Sequence, residues 1–165
     1  MTRYQISETL SNDNNAGRKA PQDIVLIAEK LGYDVLETKM RNRKSKSIIA
    51  FLQRQIGYVK DWAMIYKKVK KNAVVLLQCP CSRQWIRQSV LKGLKKNKNT
   101  KIIALVHDVY ELRLKIYDKF HRREFQFMIE IADSIIVHNN VMRDFFIAKG
   151  VQKEKLVVLG IFDYL

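Results

Sequence analysis

The sequence has no apolar run long enough to cross a bilayer, which takes about 18–20 consecutive apolar residues. Its first residues, Met1 to Ser7, also lack the apolar core of a signal peptide. Hydrophobic residues nevertheless make up 47% of the 165 residues, a share typical of a globular domain and not of a disordered chain. We therefore expect a single cytoplasmic domain over residues 1–165.

Cysteine is scarce, and its placement argues against both a disulfide and a metal site. The two cysteines, Cys79 and Cys81, flank Pro80, and residues this close at a strand end rarely bond to each other. No further Cys or His stands near them at the paired spacing that a zinc site requires. We interpret them as two reduced thiols in or beside the core, and we expect no metal.

Acidic residues are almost missing from the middle of the chain. Residues 41–101 contain 17 Lys and Arg against one acid, Asp61, whereas residues 1–40 (5 against 6) and 102–165 (9 against 9) are nearly balanced. The net charge of +15 therefore belongs to one block. Such a block attracts a polyanion: nucleic acid, an anionic membrane surface or a phosphate-bearing substrate. Alternatively, its lysines lie at helix ends and only keep the protein soluble.

Several catalytic sequence motifs are absent. There is no G-x-G-x-x-G fingerprint, so a nicotinamide cofactor is not supported, and there is no Walker A pattern. No nucleophile elbow accompanies the Ser, His and Asp residues. No Asp-x-Asp pair is present to hold a metal–nucleotide complex.

Two apolar segments in the second half of the chain each end in polar, proton-handling residues. Residues 101–106 lead to His107-Asp108, and residues 134–137 lead to His138-Asn139. Apolar runs this short, flanked by helical patterns, are typical of strands buried on both faces of a parallel sheet. Ligands of such sheets bind beyond the carboxyl ends of the strands, so both segments deliver polar side chains to the binding edge.

Strand and helix patterns alternate along the whole chain, without an Asn-Gly hairpin signal between strands. The alternation predicts an α/β protein, a doubly wound parallel sheet of about six strands with helices on both faces. We place the first helix at Pro21, after a polar loop over residues 11–19. A long helix begins after Ser47, with Gly57 as a candidate break.

Asp108 and His107 are the leading candidates for chemistry, since either could accept a proton at the strand end. Adjacent strand residues face opposite sides of a sheet, so we expect only one of them to face a given ligand. Alternatively, one caps the next turn while the other packs inward. Asn139 or Asn140 could likewise cap the helix that follows. Gly17 stands where backbone N–H groups could bind an anion, although a simple turn explains it as well.

Four segments resemble one known family. They are residues 14–24 (NNAGRKAPQDI), 103–113 (IALVHDVYELR), 136–142 (IVHNNVM) and 159–165 (LGIFDYL). In this order they resemble the N-terminal half of bacterial galactofuranosyltransferase-like glycosyltransferases, a group that includes glucosyltransferases extending sugars on streptococcal adhesins. The first segment departs from the family pattern at Arg18, Pro21 and Gln22, so no ligand role is carried over to those three residues.

The resemblance implies one half of a GT-B fold: a Rossmann-like, acceptor-side N-terminal domain, with the donor-binding C-terminal domain absent from this chain. It implies transfer of a hexosyl group, galactofuranosyl or glucosyl, from a UDP-linked nucleotide sugar to a hydroxyl of a cell-surface glycan, with no cofactor or metal. The isolated domain is expected to be inactive alone. Asp108 is then the first choice for the catalytic base and His107 the second. The other residues implied to bind acceptor and substrate are Asn15, Gly17, Lys19, Arg113 and Asn139.

Two other functions stay open at this point. One is a basic Rossmann-like binding module for nucleic acid or anionic surfaces, without catalysis. Nucleic acid is the less favoured partner, because the basic residues are not interleaved with aromatics and no helix-turn-helix or zinc-finger spacing is present. The other is a regulatory or assembly subunit that keeps the fold without chemistry. Peripheral contact with an anionic membrane at its inner face and formation of a homo-oligomer are both left open.

Overall fold

The computed structural model describes residues 1–9, 16–39, 41, 45, 47–81, 85–113 and 119–160, with the side chains of residues 9, 16–19, 113, 119 and 120 outside that description. Strands and helices alternate through these ranges, with a 3₁₀ turn at Lys153–Lys155. The strands are β1 (Arg3–Thr9), β2 (Asp34–Lys39), β3 (Val74–Cys79), β4 (Lys101–Val106), β5 (Ser134–Val137) and β6 (Leu156–Val158). The helices are α1 (Ala16–Lys30), α2 (Ile48–Lys68), α3 (Trp85–Lys98), α4 (Tyr110–Arg113), α5 (Lys119–Ile131) and α6 (Asn140–Ala148).

The six strands form one parallel sheet in the order β2-β1-β3-β4-β5-β6. From β1 the chain moves outward to β2, then returns past β1 to begin β3, and continues in that second direction to β6. The strand order therefore reverses between β1 and β3, which is the topological switch point of a doubly wound sheet. The predicted α/β class and the predicted number of strands are both confirmed.

Helices cover both faces of the sheet, as the sequence predicts. Because side chains alternate along a strand, Leu76 and Leu105 face one side, where Ile24 and Ala28 of α1 pack on them. The other face carries the larger core, under α2, α3, α5 and α6. Its buried members include Tyr4, Trp62, Ile65, Val75, Leu77, Leu91, Leu94, Ile102 and Phe127 near the switch point, and Ala104, Val106, Ile135, Val137, Met142 and Phe146 toward β6.

Helix α1 begins earlier than the sequence predicts. We expected Pro21 in its first turn, but the helix starts at Ala16, so Pro21 is its sixth residue. Only the first four N–H groups of a helix lack an intrahelical acceptor, so a proline at this position removes one helical hydrogen bond. Gly17 consequently lies within α1 and not in the loop where we expected it.

The candidate break at Gly57 does not occur, since α2 runs without interruption from Ile48 to Lys68. A side chain at position 57 would collide with the guanidinium of Arg41. That guanidinium is held by both carboxylate oxygens of Asp61, at 2.7 and 3.1 Å, and lies over the ring of Tyr58. The lack of a side chain at position 57 leaves room for the Arg41 guanidinium. Glycine is less favourable than alanine inside a helix, so this contact costs some helix stability.

The predicted start of the long helix after Ser47 is confirmed, but the capping contact is not formed. Ser47 is the residue that precedes α2, but its side chain makes no capping hydrogen bond. Within the described ranges, no helix combines the length and apolarity that a membrane span requires.

Candidate functional site

Three polar side chains lie together at the carboxyl edge of the sheet, on the face covered by α1. They are Gln78 near the end of β3, His107 directly after β4 and His138 directly after β5. Leu76 and Leu105 face α1, so Gln78 and His107, two residues farther along each strand, point to the same side. This cluster is close to the switch point, where doubly wound sheets bind their ligands.

A chain of hydrogen bonds links the cluster to α1. The side-chain Nε2 of Gln78 donates to the carbonyl of Pro21 over 3.1 Å. This contact orients the amide, so that its Oε1 faces Nε2 of His107 at 2.7 Å. His107 therefore carries its proton on Nε2 and donates it to Gln78, which leaves Nδ1 as an acceptor.

His107 is held neutral by its surroundings. Burial, together with the nearby ring of His138, lowers the pKa of His107 to about 4. The two ring centroids are 5.8 Å apart, and burial also lowers the pKa of His138. The Nδ1 atom of His107 is buried and makes no hydrogen bond to any described residue. Its lone pair is therefore not used by any hydrogen bond to the described residues.

Asp108 lies on the other side of the sheet from His107. It lines a cavity of about 500 Å³ between the sheet and helices α3 to α5. The cavity wall is mostly apolar, with a few polar groups, as is typical of small-molecule sites of this size. Its ionisable members besides Asp108 are Cys79, Cys81, Arg87, Tyr110, Glu111, His121 and Glu124.

The charges in this cavity wall are largely compensated. Arg87 is 5% exposed and forms an ion pair with Glu124, which also accepts a hydrogen bond from Nε2 of Gln88 at 2.7 Å. Nζ of Lys149 lies 3.0 Å from Oε2 of Glu111. Two of the carboxylates in the cavity wall, those of Glu124 and Glu111, are thus paired with cations.

The two cysteines are free thiols, which confirms the prediction. Cys79 is buried and Cys81 is half-buried, and their sulfur atoms are 3.9 Å apart. Cys81 donates to the carbonyl of Gln78 over 2.9 Å. Among the described residues no group of three or more His, Cys, Asp and Glu is arranged to hold a metal ion.

The predicted site residues do not all face one common site. His107 and Asp108 are both at the carboxyl edge but face opposite sides of the sheet. Asn139 is the N-cap of α6, where its Oδ1 accepts from the N–H of Met142 at 2.9 Å. The capping role expected of Asn139 or Asn140 therefore belongs to Asn139.

The remaining predicted residues are described only in part. Gly17 and Lys19 are in the first turns of α1, and Arg113 is the last residue of α4. The side chains of Lys19 and Arg113, and the whole of Asn15, lie outside the described part of the chain. Their proposed contacts with substrate stay predictions.

Sequence reasoning missed Gln78 and His138 as partners of His107. The available signal was a polar residue near the end of each apolar strand, since Gln78 follows a run of five apolar residues. The network itself joins residues 29 and 57 positions apart, and no local pattern in the sequence reports such a distance.

Comparison with known proteins adds one finding. A family model described as "Glucosyltransferase 3-like, N-terminal domain" matches residues 3–161, which is nearly the whole chain. No curated protein matches the chain significantly.

Proposed function

Because the chain belongs to the glucosyltransferase 3-like family, as its N-terminal domain, we propose that it forms the acceptor-binding half of a glycosyltransferase with GT-B architecture. The proposed reaction moves a hexosyl group, galactofuranosyl or glucosyl, from a UDP-linked nucleotide sugar to a hydroxyl of a glycan. In this proposal a second Rossmann-like domain supplies the donor site. The family match over residues 3–161 is the observation that carries the proposal.

The acceptor glycan is proposed to bind at the carboxyl edge, with one of its rings in the cavity beside Asp108. The cavity volume of about 500 Å³ falls in the range of small-molecule sites. Tyr110, His121 and Phe125 in its wall supply the aromatic surface and polar tips that a sugar ring can use. No resident cofactor or metal takes part in the proposed reaction.

In an inverting route the acceptor oxygen attacks the anomeric carbon while the bond from that carbon to the diphosphate breaks. The nucleoside diphosphate leaves with the bonding electrons, and the hydroxyl proton passes to a base. We assign this proton to a carboxylate oxygen of Asp108, which is half-buried two residues beyond β4 and lines the cavity. His107 is the second candidate, through its unoccupied Nδ1.

The experiment is steady-state kinetics of a two-domain enzyme that contains this chain, with UDP-glucose and UDP-galactofuranose as alternative donors. Asp108→Asn is expected to lower kcat by about 10²–10⁴-fold with a modest change in KM, because the amide cannot accept the proton. The matched control is Asp144→Asn, which changes an exposed carboxylate on α6 and is expected to leave kcat unchanged.

His107→Gln separates the two candidate bases. If His107 were the base, this variant would show the larger loss of kcat and Asp108→Asn the smaller. An unchanged kcat in Asp108→Asn would remove Asp108 from the role while leaving the family assignment intact. Robust turnover by the 165 residues alone would refute the division of labour between two domains.

A further inference from the structure

The first half of α2 projects beyond the sheet. The backbone N–H of Lys39, the last residue of β2, donates to Oδ2 of Asp61 over 3.0 Å. Asp61 is therefore level with the carboxyl edge, whereas α2 begins thirteen residues earlier, at Ile48. At 1.5 Å per residue, the part of α2 between Ile48 and Asp61 is about 20 Å long. The buried residues of α2 are Tyr58, Trp62 and Ile65, all in its second half.

The projecting part carries an exposed apolar ridge, which we call the α2 ridge and define as Ile48, Ile49, Leu52, Ile56 and Val59. Their exposed fractions are 77, 69, 53, 56 and 38%. Spacings of three, four and seven residues place most of them along one side of the helix. A stripe with this period normally packs into a core, but here it faces away from the buried side. Five large aliphatic side chains on one exposed face indicate an interaction surface.

The charges around the ridge have one sign. Asp61 is the only acid between residues 41 and 101, and it is bonded through both oxygens to Arg41. The exposed lysines of α2 are Lys60, Lys67 and Lys68. Lys60 and Lys67 follow Ile56 by four and eleven residues, so both lie along the same side of the helix as the ridge. A partner for this surface must therefore be both apolar and anionic.

We propose that the α2 ridge inserts into the interface of an anionic lipid bilayer, with Lys60 and Lys67 contacting lipid phosphates. An amphipathic helix with an aliphatic face and flanking lysines binds membranes in this way, through buried apolar area and attraction to anionic headgroups. A second copy of the chain would bring the same lysines together and is disfavoured by charge repulsion. Nucleic acid would satisfy the lysines but leave the aliphatic ridge in water.

The ridge lies at the same end of the molecule as the carboxyl edge. Membrane contact there would present the cluster of Gln78, His107 and His138, and the cavity beside Asp108, to molecules held at the bilayer surface. The membrane contact does not depend on sugar transfer, and its test needs no turnover.

The test is flotation of the 165-residue chain with vesicles of phosphatidylcholine alone and of phosphatidylcholine mixed with phosphatidylglycerol. The chain is expected to float with the anionic vesicles only. The triple variant Ile48→Gln, Leu52→Gln, Ile56→Gln is expected to lose about 10²-fold in affinity, since each change removes an aliphatic group that enters the bilayer. These positions are exposed, and glutamine is a good helix former, so circular dichroism should be unchanged.

The matched control is the triple variant Leu26→Gln, Leu31→Gln, Val141→Gln, which removes three aliphatic side chains exposed by 49, 60 and 68% outside the ridge. It is expected to float like the parent chain. Lys60→Gln with Lys67→Gln is expected to weaken binding about 10-fold, and added salt should weaken binding of the parent in the same direction.

Three results would overturn the proposal. The first is equal flotation of the ridge variant and the control variant. The second is equal flotation with and without phosphatidylglycerol. The third is self-association, measured by sedimentation, that the ridge variant loses while its vesicle binding is retained, because the ridge would then be an interface between copies of the chain.

Discussion

The Nε2 of His107 donates to Oε1 of Gln78 over 2.7 Å, and this single contact sets the chemistry of the imidazole. It uses the proton of the neutral ring and turns the Nδ1 lone pair away from Gln78. Gln78 can accept in this direction because its own N–H group is occupied by the carbonyl of Pro21. The amide of Gln78 thus connects Pro21 of α1 with His107, the residue that follows β4.

Gln78→Glu tests this contact directly. A carboxylate beside Nε2 favours the imidazolium form, so the pKa of His107 is expected to rise from about 4 by about 1 or more. Nitrogen-15 NMR of the labelled imidazoles measures both the pKa and the tautomer. In the parent chain near pH 7 the spectrum should show the proton on Nε2.

Gln53→Glu is the control for this experiment. Gln53 is exposed on α2, so the same change of charge there should leave the His107 titration in place. A parent spectrum with the proton on Nδ1, or an unaltered titration in Gln78→Glu, would contradict the hydrogen-bond network.

The two neutral histidines also predict how stability depends on pH. Folding lowers the pKa of His107 from 6.5 to about 4 and lowers that of His138. Between these values the unfolded chain binds protons that the folded chain does not. The free energy of unfolding therefore has its full value above about pH 6.5 and decreases as the pH falls toward 4. Below about pH 4 the titration of His107 causes no further decrease. The expected loss from His107 is at most about 3 kcal/mol, before screening by solvent.

Denaturant titrations at several pH values from 7.5 to about 4 measure this loss. Carboxylates also titrate in the lower part of this range, so the comparison is the difference between the parent and His107→Gln. The variant should lose less stability than the parent between pH 6.5 and pH 4. Identical pH dependence in the two proteins would show that His107 is not desolvated by folding.

The sequence predicted the fold because its signals are local. Short apolar strands, helical periods and the polar residues at strand ends all fall within windows of a few residues, and they place His107 and His138 at one edge of a parallel sheet. Side-chain alternation also separates His107 from Asp108. These predictions need no knowledge of which elements are neighbours.

The errors arose where distant residues meet. Gly57 indicated a helix break, but its small size accommodates Arg41 from the segment before α2. The apolar residues from Ile48 to Val59 recur at the helical spacing that is typical of a buried face, yet in the structure they are exposed. In both cases the local pattern was recognised correctly, and tertiary position determined its meaning.

A double-mutant cycle tests the account of Gly57. Gly57→Ala alone is expected to destabilise the fold by about 1–3 kcal/mol, because the new methyl group displaces Arg41 from Asp61 and strains the contact. In an Arg41→Ala background the same change should stabilise by up to about 1 kcal/mol, since alanine is the better helix former. Equilibrium unfolding of the four proteins gives both values, and the same sign in both backgrounds would contradict the steric explanation.

The ion pair of Arg87 and Glu124 predicts a second cycle, inside the cavity wall. Arg87 is 5% exposed, so removing Glu124 takes away the carboxylate that forms an ion pair with this buried guanidinium. Glu124→Leu is therefore expected to cost about 3–5 kcal/mol, whereas the pair Arg87→Met with Glu124→Leu should cost much less, because no buried charge is left behind. Thermal and denaturant unfolding measure both.

The exposed pair of Arg143 and Asp144 is the control, where removal of the acid should cost less than about 1 kcal/mol. If the double replacement in the cavity proved as costly as Glu124→Leu alone, the ion pair would be contributing through its shape and not through mutual charge compensation.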